Sequence, residues 1–295
     1  MRQPGIKGRL VTWKARLSVL SLVLFLAPCL AQTGPVYFVL LTDPQFGMYS
    51  ENRGFEQETA NFEFAAAAVN RLKPGFVVIL GDLVNKAGDP AQISEYLRIS
   101  KTISPEIPVY PAAGNHDVGN DPTPESIAAF RKIIGRDYYS FRTGPVYGIV
   151  LDSTVIHSSK SCPVEYEAQM AWLQKELEAA KASGAPNIVI FQHHPLFLND
   201  PDEPDGYENL PLERRHLLLN LFRKYGVRNV FAGHMHRNVI AHAGQMEIVA
   251  TGPVGKPLGA DGSGMRVAVA TGDGIEHRYF GFGSLPESLG QAFGK

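Results

Sequence analysis

The sequence predicts an α/β fold, and three observations lead to this class. Apolar runs such as Val36–Leu41 and Phe76–Leu80 have the continuous hydrophobic character of strands that are buried on both faces. Helix-like segments such as Glu58–Leu72 alternate with these runs along most of the chain. From Val239 onward, short β runs separated by glycine-rich turns replace the helices. We therefore expect an α/β arrangement that ends in additional strands.

The predicted elements follow one another without a linker that would divide the chain. The predicted strands are Val36–Leu41, Phe76–Leu80, Val109–Pro111, Tyr147–Leu151, Ile188–Phe191 and Val230–Ala232. The predicted helices are Glu58–Leu72, Ile93–Ile103, a helix that Thr123 caps and Pro124 begins, Glu165–Ser183 and Leu212–Tyr225. The terminal strands, expected to form a meander, are Val239–Ala243, Glu247–Ala250, Arg266–Thr271 and Glu276–Phe280. Residues 32–295 are thus expected to form one domain.

The first 31 residues have the pattern of a secretory signal peptide. They contain five basic residues and no acid, followed by the apolar run Leu17–Leu26 and by Cys29 and Ala31 at positions that suit cleavage after Ala31. The run is short for a membrane span, which needs about 20 apolar residues. A membrane anchor and, through Cys29, a lipoprotein are the alternatives. The expected location is periplasmic or secreted, without stable membrane insertion after cleavage.

The composition excludes disordered and fibrous proteins. The chain has 295 residues, of which 44% are hydrophobic and 19% charged, as in ordinary globular proteins. Loss of the five basic residues before the cleavage point would lower the formal net charge from -1 to −6. An acidic mature chain argues against a nucleic-acid partner that is bound by bulk electrostatics. Only Cys162 would remain, so no internal disulfide is expected.

Polar clusters follow five of the predicted strands. Functional groups in open α/β sheets gather beyond the carboxyl ends of strands. Carboxylates and imidazoles in such positions suit Mn, Fe or Zn, whereas a lone Gly-Asp or histidine is more often structural. The five clusters are Thr42–Gln45 (TDPQ), Gly81–Asn85 (GDLVN), Gly114–Asp117 (GNHD), Gln192–Pro195 (QHHP) and Gly233–His236 (GHMH).

Taken in order, these clusters read D-x-Q, G-D-x-x-N, G-N-H-D, H-x-P and G-H-x-H over residues 43–236. This set resembles the calcineurin-like metallophosphoesterase superfamily. The resemblance implies a four-layer α/β/β/α sandwich. It also implies hydrolysis of phosphate esters by a dinuclear metal centre with a bridging hydroxide, using two divalent ions among Mn, Fe, Zn and Mg. The substrate would be a small-molecule or protein phosphate ester.

The resemblance also implies a ligand set, in which Asp82 bridges the two ions. The first ion would be held by Asp43, Gln45 and His236, and the second by Asn115, His193 and His234. In extended backbone, residues two apart face the same way and adjacent residues face opposite ways, so His234 and His236 would act together while His194 would not bind. Gln45 departs from the histidine usual in the superfamily, which predicts a more labile first site that favours Mn or Mg.

His116 is the expected catalytic residue, protonating the leaving group or stabilising charge. Asp117 would orient His116 through its other ring nitrogen, or would instead cap its loop. The reaction is expected on phosphomonoesters, with protein phosphoserine or phosphothreonine as a candidate class. A phosphodiesterase acting on cyclic nucleotides or phospholipid head groups, and a catalytically silent metal-dependent binding module, are the alternatives.

Two loops have no assigned role at this point. The acidic segment Pro201–Glu208 (PDEPDGYE) is interpreted as a solvated surface turn, as loops generally are. The segment Gly255–Gly264 (GKPLGADGSG) either borders the site or only turns the chain. The sequence leaves the oligomeric state open.

Overall fold

The computed structural model describes Met1, Gly5 and residues 34–294. Apart from Met1 and Gly5, the predicted signal peptide and its cleavage point lie outside the described residues. Among the residues that are described, no helix combines the length and apolar character needed to cross a membrane.

Within residues 34–294, the strands form two sheets. One sheet has the order β11-β10-β1-β2-β3 and the other β4-β5-β6-β7-β9-β8, where the strands are β1 Val36–Leu41, β2 Phe76–Ile79, β3 Val109–Pro111, β4 Tyr139–Thr143, β5 Val146–Val150, β6 Asn187–Phe191, β7 Asn229–Ala232, β8 Val239–Ala243, β9 Met246–Ala250, β10 Gly264–Ala270 and β11 Ile275–Gly281. Strands β1, β2 and β3 are parallel, as are β5, β6, β7 and β9. Parallel neighbours bring their carboxyl ends to one edge, which is where the five polar clusters begin.

Helices cover the outer faces of both sheets. Their bounds are α1 Glu56–Leu72, α2 Pro90–Ser100, α3 Asn115–Val118, α4 Pro124–Ile133, α5 Ser153–His157, α6 Pro163–Ala182 and α7 Leu212–Tyr225, with 3₁₀ turns at Phe282–Ser284 and Gln291–Phe293. The predicted start of α4 is confirmed, because the Thr123 hydroxyl accepts a hydrogen bond from the Ser126 amide and Pro124 occupies the first turn.

Three layers of apolar side chains separate the four layers of secondary structure. Phe38 and Phe76 of one sheet stack at 4.7 Å, and Phe38 meets Phe191 and Phe231 of the other sheet edge-on. The second layer packs α1 and α2 on the first sheet, and the third packs α6 and α7 on the second. The predicted four-layer α/β/β/α sandwich is confirmed.

The C-terminal strands are correctly located but do not form one meander. Strands β8 and β9 extend the second sheet, where β9 lies parallel to β7. Strands β10 and β11 extend the first sheet, where β10 pairs antiparallel with β1. A local apolar pattern specifies a strand but not its partner, which packing of the whole chain selects. Strand β4 and the short helices α3 and α5 were not predicted.

Candidate metal centre

The loops that follow β1, β2, β6 and β7 place two overlapping groups of metal-binding side chains in the described part of the chain. One group is Asp82, His193 and His234, and the other is Asp43, Asp82 and His236. Within each group, one potential ligand atom per residue lies within 4.8 Å of the others, and all these residues are buried. Asp82 belongs to both groups, as a carboxylate shared by two ions would.

An unusual backbone conformation accompanies this gathering. Eight non-glycine residues of the described chain have positive φ, a region that most side chains disfavour. Five of the eight belong to the expected ligand set, namely Asp43, Gln45, Asp82, His234 and His236. Such conformations persist where surrounding structure imposes them and are frequent at functional sites. The expected extended backbone at His234 and His236 is wrong, and the two side chains instead join different groups.

Glycines in the motifs allow these turns to approach one another. Gly81 has φ +87, and a Cβ there would lie 2.6 Å from Nδ1 of His193. At Gly233 a Cβ would collide with the Thr42 hydroxyl. The glycines that precede Asp82 and His234 are therefore required by contact between separate motifs.

The first candidate site contains Asp43, Asp82 and His236, and Gln45 is the remaining residue expected there. His236 Nε2 lies 3.4 Å from Oδ1 of Asp43, and its Nδ1 donates to the backbone carbonyl of Lys256 at 2.6 Å. Lys256 lies in the loop Gly255–Gly264, so this loop borders the site. The question that the sequence left open is thereby resolved.

The Gln45 side chain uses its amide nitrogen in a hydrogen bond and leaves its carbonyl oxygen unpaired within residues 34–294. Gln45 Nε2 donates to Oδ1 of Asn85 at 3.1 Å, and Asn85 Nδ2 donates to Oδ1 of Asn52 at 2.8 Å. Gln45 is 1% exposed, and its Oε1 finds no hydrogen-bond partner among the described residues. A buried carbonyl oxygen without a partner is costly unless a cation or another donor satisfies it.

The second candidate site contains Asp82, His193 and His234, and Asn115 lies beside His193. His193 Nε2 lies 3.0 Å from Asn115 Oδ1, 3.2 Å from His234 Nδ1 and 3.3 Å from Asp82 Oδ2. The other nitrogens face backbone carbonyls, with His193 Nδ1 2.7 Å from Leu80 O and His234 Nε2 2.9 Å from Tyr207 O.

The three histidines therefore share one arrangement. Each places one ring nitrogen against a backbone carbonyl, which requires N–H there, so that the neutral ring has its lone pair on the other nitrogen. This is the usual condition of a metal-ligating histidine. The donor set fits a pair of divalent cations. The structure places six residues of the expected ligand set together, and the backbone amide of the seventh, Gln45, donates to the carbonyl of Asp82 at 2.9 Å.

Electrostatics also favour a cation here. Burial raises the pKa of Asp43 despite nearby His236 and His193. Burial likewise opposes ionisation of Asp82, but the charge and hydrogen bond of His193 outweigh it and hold the pKa of Asp82 below its ordinary value. Burial opposes protonation of His193, yet Asp82 and Asp43 raise the pKa of that imidazole to about 9. Two carboxylates that are at most 1% exposed require compensating positive charge.

His116 lies beside Asp82 but is not oriented by Asp117. The His116 amide donates to Asp82 Oδ1 at 2.8 Å, and its Nδ1 donates to the Asn85 carbonyl at 2.8 Å. Asp117 instead accepts hydrogen bonds from the amides of Leu83, Val84 and Gly114. The prediction that Asp117 orients His116 is thus wrong, and the loop-capping alternative describes its contacts. Its carboxylate therefore links the cluster Gly81–Asn85 to its own cluster Gly114–Asp117 by accepting hydrogen bonds from amides of both.

His194 lies outside both groups, as expected. The Ser153 hydroxyl accepts from the His193 and His194 amides at 3.2 and 2.8 Å, and it lies 3.0 Å from His194 Nδ1. The His194 ring stacks on His157 at 4.7 Å, and burial lowers the pKa of His194 well below its ordinary value.

Sequence reasoning missed Ser153, Lys256 and, above all, Tyr207. Tyr207 lies in the acidic segment Pro201–Glu208 that was interpreted as a solvated turn, yet its side chain and carbonyl both contact site residues. The one available signal was an aromatic residue inside an otherwise acidic loop that follows a ligand motif.

Comparison with known proteins agrees with this geometry. The calcineurin-like phosphoesterase family matches residues 36–238. The chain is similar to the serine/threonine-protein phosphatase CPPED1 of Bos taurus, with 39% identity over 269 residues that cover 86% of each chain.

Solved structures share the fold at much lower identity. A dimetal phosphatase from Danio rerio aligns with a TM-score of 0.59 and 16% identity, covering 84% of this chain and 97% of that one. The purple acid phosphatase PPD1 from yellow lupin seeds aligns with a TM-score of 0.63 and 15% identity, covering 84% and 52%.

Proposed function

Since the chain belongs to the calcineurin-like phosphoesterase family, we propose that it hydrolyses phosphate monoesters with the help of two divalent cations. Asp82 would be shared between the cations. The first would be held by Asp43, Gln45 and His236, and the second by Asn115, His193 and His234.

One observation supports this proposal most directly. The three histidines each point one nitrogen toward the paired carboxylates while a backbone carbonyl occupies the other nitrogen. A purely structural cluster would not leave Gln45 Oε1 buried without a partner in the described chain.

The cations would neutralise the phosphoryl oxygens and lower the pKa of a water nucleophile. The role of the chain's own residues beyond binding falls mainly to His116. Because His116 Nδ1 donates to the Asn85 carbonyl, Nε2 is the nitrogen available to substrate. When the ring is protonated, Nε2–H would donate its proton to the leaving ester oxygen, and the half-exposed position of His116 leaves room for that contact.

The two donor sets favour different cations. The first site offers oxygen from Asp43, Gln45 and Asp82 and one imidazole. The second offers oxygen from Asn115 and Asp82 and two imidazoles. Hard oxygen donors suit Mn and Mg, whereas imidazole suits Zn and Fe. We therefore propose that the first site selects Mn or Mg.

Phosphoserine or phosphothreonine in proteins is the proposed substrate class. Its support is the 39% identity to the serine/threonine-protein phosphatase CPPED1 of Bos taurus. The signal-peptide pattern of residues 1–31 supports action after export, in the periplasm or outside the cell. An exported enzyme would meet extracytoplasmic phosphoproteins or small phosphomonoesters.

A substrate panel with defined metals tests the function. Protein freed of metal by exhaustive chelation is reconstituted with Mn²⁺, Mg²⁺, Zn²⁺ or Fe²⁺ and assayed on an aryl phosphomonoester, an aryl phosphodiester and a phosphoserine peptide. We expect hydrolysis of the monoester and the peptide only after reconstitution, with two metal ions per chain by elemental analysis.

Each contrary result has a distinct meaning. Full activity of the chelated protein would refute the two-cation proposal. Faster hydrolysis of the diester would favour the phosphodiesterase alternative. A protein that binds two ions and leaves all three substrates intact would favour the binding module.

A further inference from the structure

We propose that Tyr207 is a positioning residue of the second site, and that the loop Asn199–Leu210 is part of the metal centre. This inference rests on the proposed function. Tyr207 contacts two of the four residues proposed to hold the second ion, and it does so through two separate groups. Its hydroxyl accepts from Asn115 Nδ2 at 2.9 Å, and its backbone carbonyl lies 2.9 Å from His234 Nε2.

The contact with Asn115 selects which atom of that amide can bind a cation. The amide nitrogen carries two hydrogens, and Asn115 Nδ2 donates to Asn120 Oδ1 at 2.8 Å as well as to the Tyr207 hydroxyl. With both hydrogens engaged, Oδ1 remains facing His193 Nε2 at 3.0 Å. A rotated amide would turn its nitrogen, which has no lone pair for a metal, into the site.

The contact with His234 selects its tautomer. A carbonyl accepts only from N–H, so Tyr207 O keeps the proton of neutral His234 on Nε2 and leaves the lone pair on Nδ1. That Nδ1 lies 3.2 Å from His193 Nε2, inside the second group. The Tyr207 ring also lies 4.7 Å from the His234 ring, so one residue limits the position and protonation of one ligand and the orientation of another.

Tyr207 can do this only if its loop is held firmly, and a buried arginine holds it. Arg215 is 0% exposed, and its guanidinium donates to the backbone carbonyls of Leu210, Pro201 and Glu203. At the other side, the Glu203 carboxylate accepts from the Leu198 and Asn199 amides. These bonds act on the loop backbone, so they fix the Tyr207 carbonyl as well as its side chain.

The loop is therefore more than a solvated turn. Its five acidic residues are typical of an exposed loop. Its backbone is nevertheless hydrogen-bonded to the buried Arg215 guanidinium, and the Tyr207 side chain reaches the site. A half-exposed phenol at this point has one side on the ligands and the other toward solvent, which explains why an aromatic residue occurs in a strongly polar segment.

Metal binding by Tyr207→Phe tests the inference without relying on activity. The substitution removes the hydroxyl and keeps the ring and the carbonyl. Because loss of a partner of a ligand typically weakens metal affinity by about 10–100-fold, we expect Mn²⁺ stoichiometry after desalting to fall from two per chain toward one. The electron paramagnetic resonance signal of a coupled Mn pair should give way to that of an isolated ion, and added Mn²⁺ should restore both the signal and turnover.

Two further variants make the result specific. Tyr49→Phe is the matched control, because Tyr49 lies beside Lys256 on the side of the first site and should leave both ions bound. Asn120→Leu removes the other acceptor of the Asn115 amide and should weaken the same ion as Tyr207→Phe.

The outcomes separate this inference from the proposed function. If wild-type protein itself fails to bind two ions, the proposed function fails. If wild-type and Tyr207→Phe bind both ions with equal affinity, the inference is wrong while the function stands. If Tyr207→Phe keeps both ions but loses turnover, Tyr207 contacts substrate and the positioning role is likewise wrong.

Discussion

The two proposed metal sites share Asp82 but are supported in different ways. In the first site, the amide ligand Gln45 is oriented by the side-chain amides of Asn85 and then Asn52. In the second site, the amide ligand Asn115 is oriented by Asn120 and by Tyr207. In both sites, hydrogen bonds to the amide nitrogen determine which way the neutral amide faces. Different loops supply the partners of that nitrogen in the two sites.

The largest expected effect tests whether the sites depend on one carboxylate. Asp82→Asn should remove both ions and reduce activity to background, because one of the two shared oxygens becomes an amide nitrogen that cannot bind a cation and the negative charge is lost. Asp43→Asn, the matched variant, should release the first ion only. Elemental analysis after desalting measures both, with circular dichroism as the check of folding. Equal losses in the two variants would contradict the distinct role of Asp82.

His116 belongs to neither site, so its removal should separate chemistry from binding. His116→Ala should retain two ions and lower kcat by roughly 10²–10⁴, the range for loss of a general acid. Metal content and kcat are measured on the same preparation, and Asp117→Asn serves as a comparison because its contacts are with the loop amides. Loss of an ion from His116→Ala would identify His116 as a ligand.

Replacing the Gln45 amide with an imidazole should give the first site two imidazole donors, as in the second site. Gln45→His supplies imidazole in place of a weaker neutral oxygen, and we expect the first ion to bind more tightly by about tenfold, equivalent to about 1.4 kcal/mol. Gln45→Asn keeps the amide but shortens its reach and should weaken the same ion. Calorimetric titration of metal-free protein with Mn²⁺ and Zn²⁺ measures both. An unchanged first affinity in both variants would show that Gln45 does not bind the ion.

The buried carboxyl of Asp152 should affect the pH dependence of stability and not metal binding. Burial raises the pKa of Asp152 to about 7, and its Oδ2 has no partner in residues 34–294. The folded protein therefore holds a proton that the unfolded chain releases near the ordinary aspartate pKa of 3.8. Stability should fall as pH rises from about 4 to about 7 and then level off.

Asp152→Asn should remove this dependence. Above pH 7 it is expected to exceed the wild type by up to roughly 4 kcal/mol in free energy of unfolding, and by much less near pH 4. Urea unfolding at pH 5 and pH 8 measures the difference, with exposed Asp202→Asn as control. Parallel pH profiles for Asp152→Asn and the wild type would contradict the assignment.

Sequence alone determined most of the helices and strands and the candidate metal ligands. Apolar runs located β1, β3 and α7 to the residue because local periodicity and chain punctuation are local properties. The motifs at strand ends identified the six polar residues that the structure places together because parallel strands bring their carboxyl ends to one edge of each sheet.

Tertiary structure alone decided how those residues are held. The Asn85 carbonyl replaced Asp117 as the partner of His116, and the Tyr207 carbonyl became the partner of His234 across 27 positions of sequence. Tertiary structure also decided the division of the terminal strands between the two sheets. Hydrogen-bond partners and strand neighbours depend on where distant loops meet, and no local pattern of side chains encodes the left-handed turns and buried arginine that bring them together.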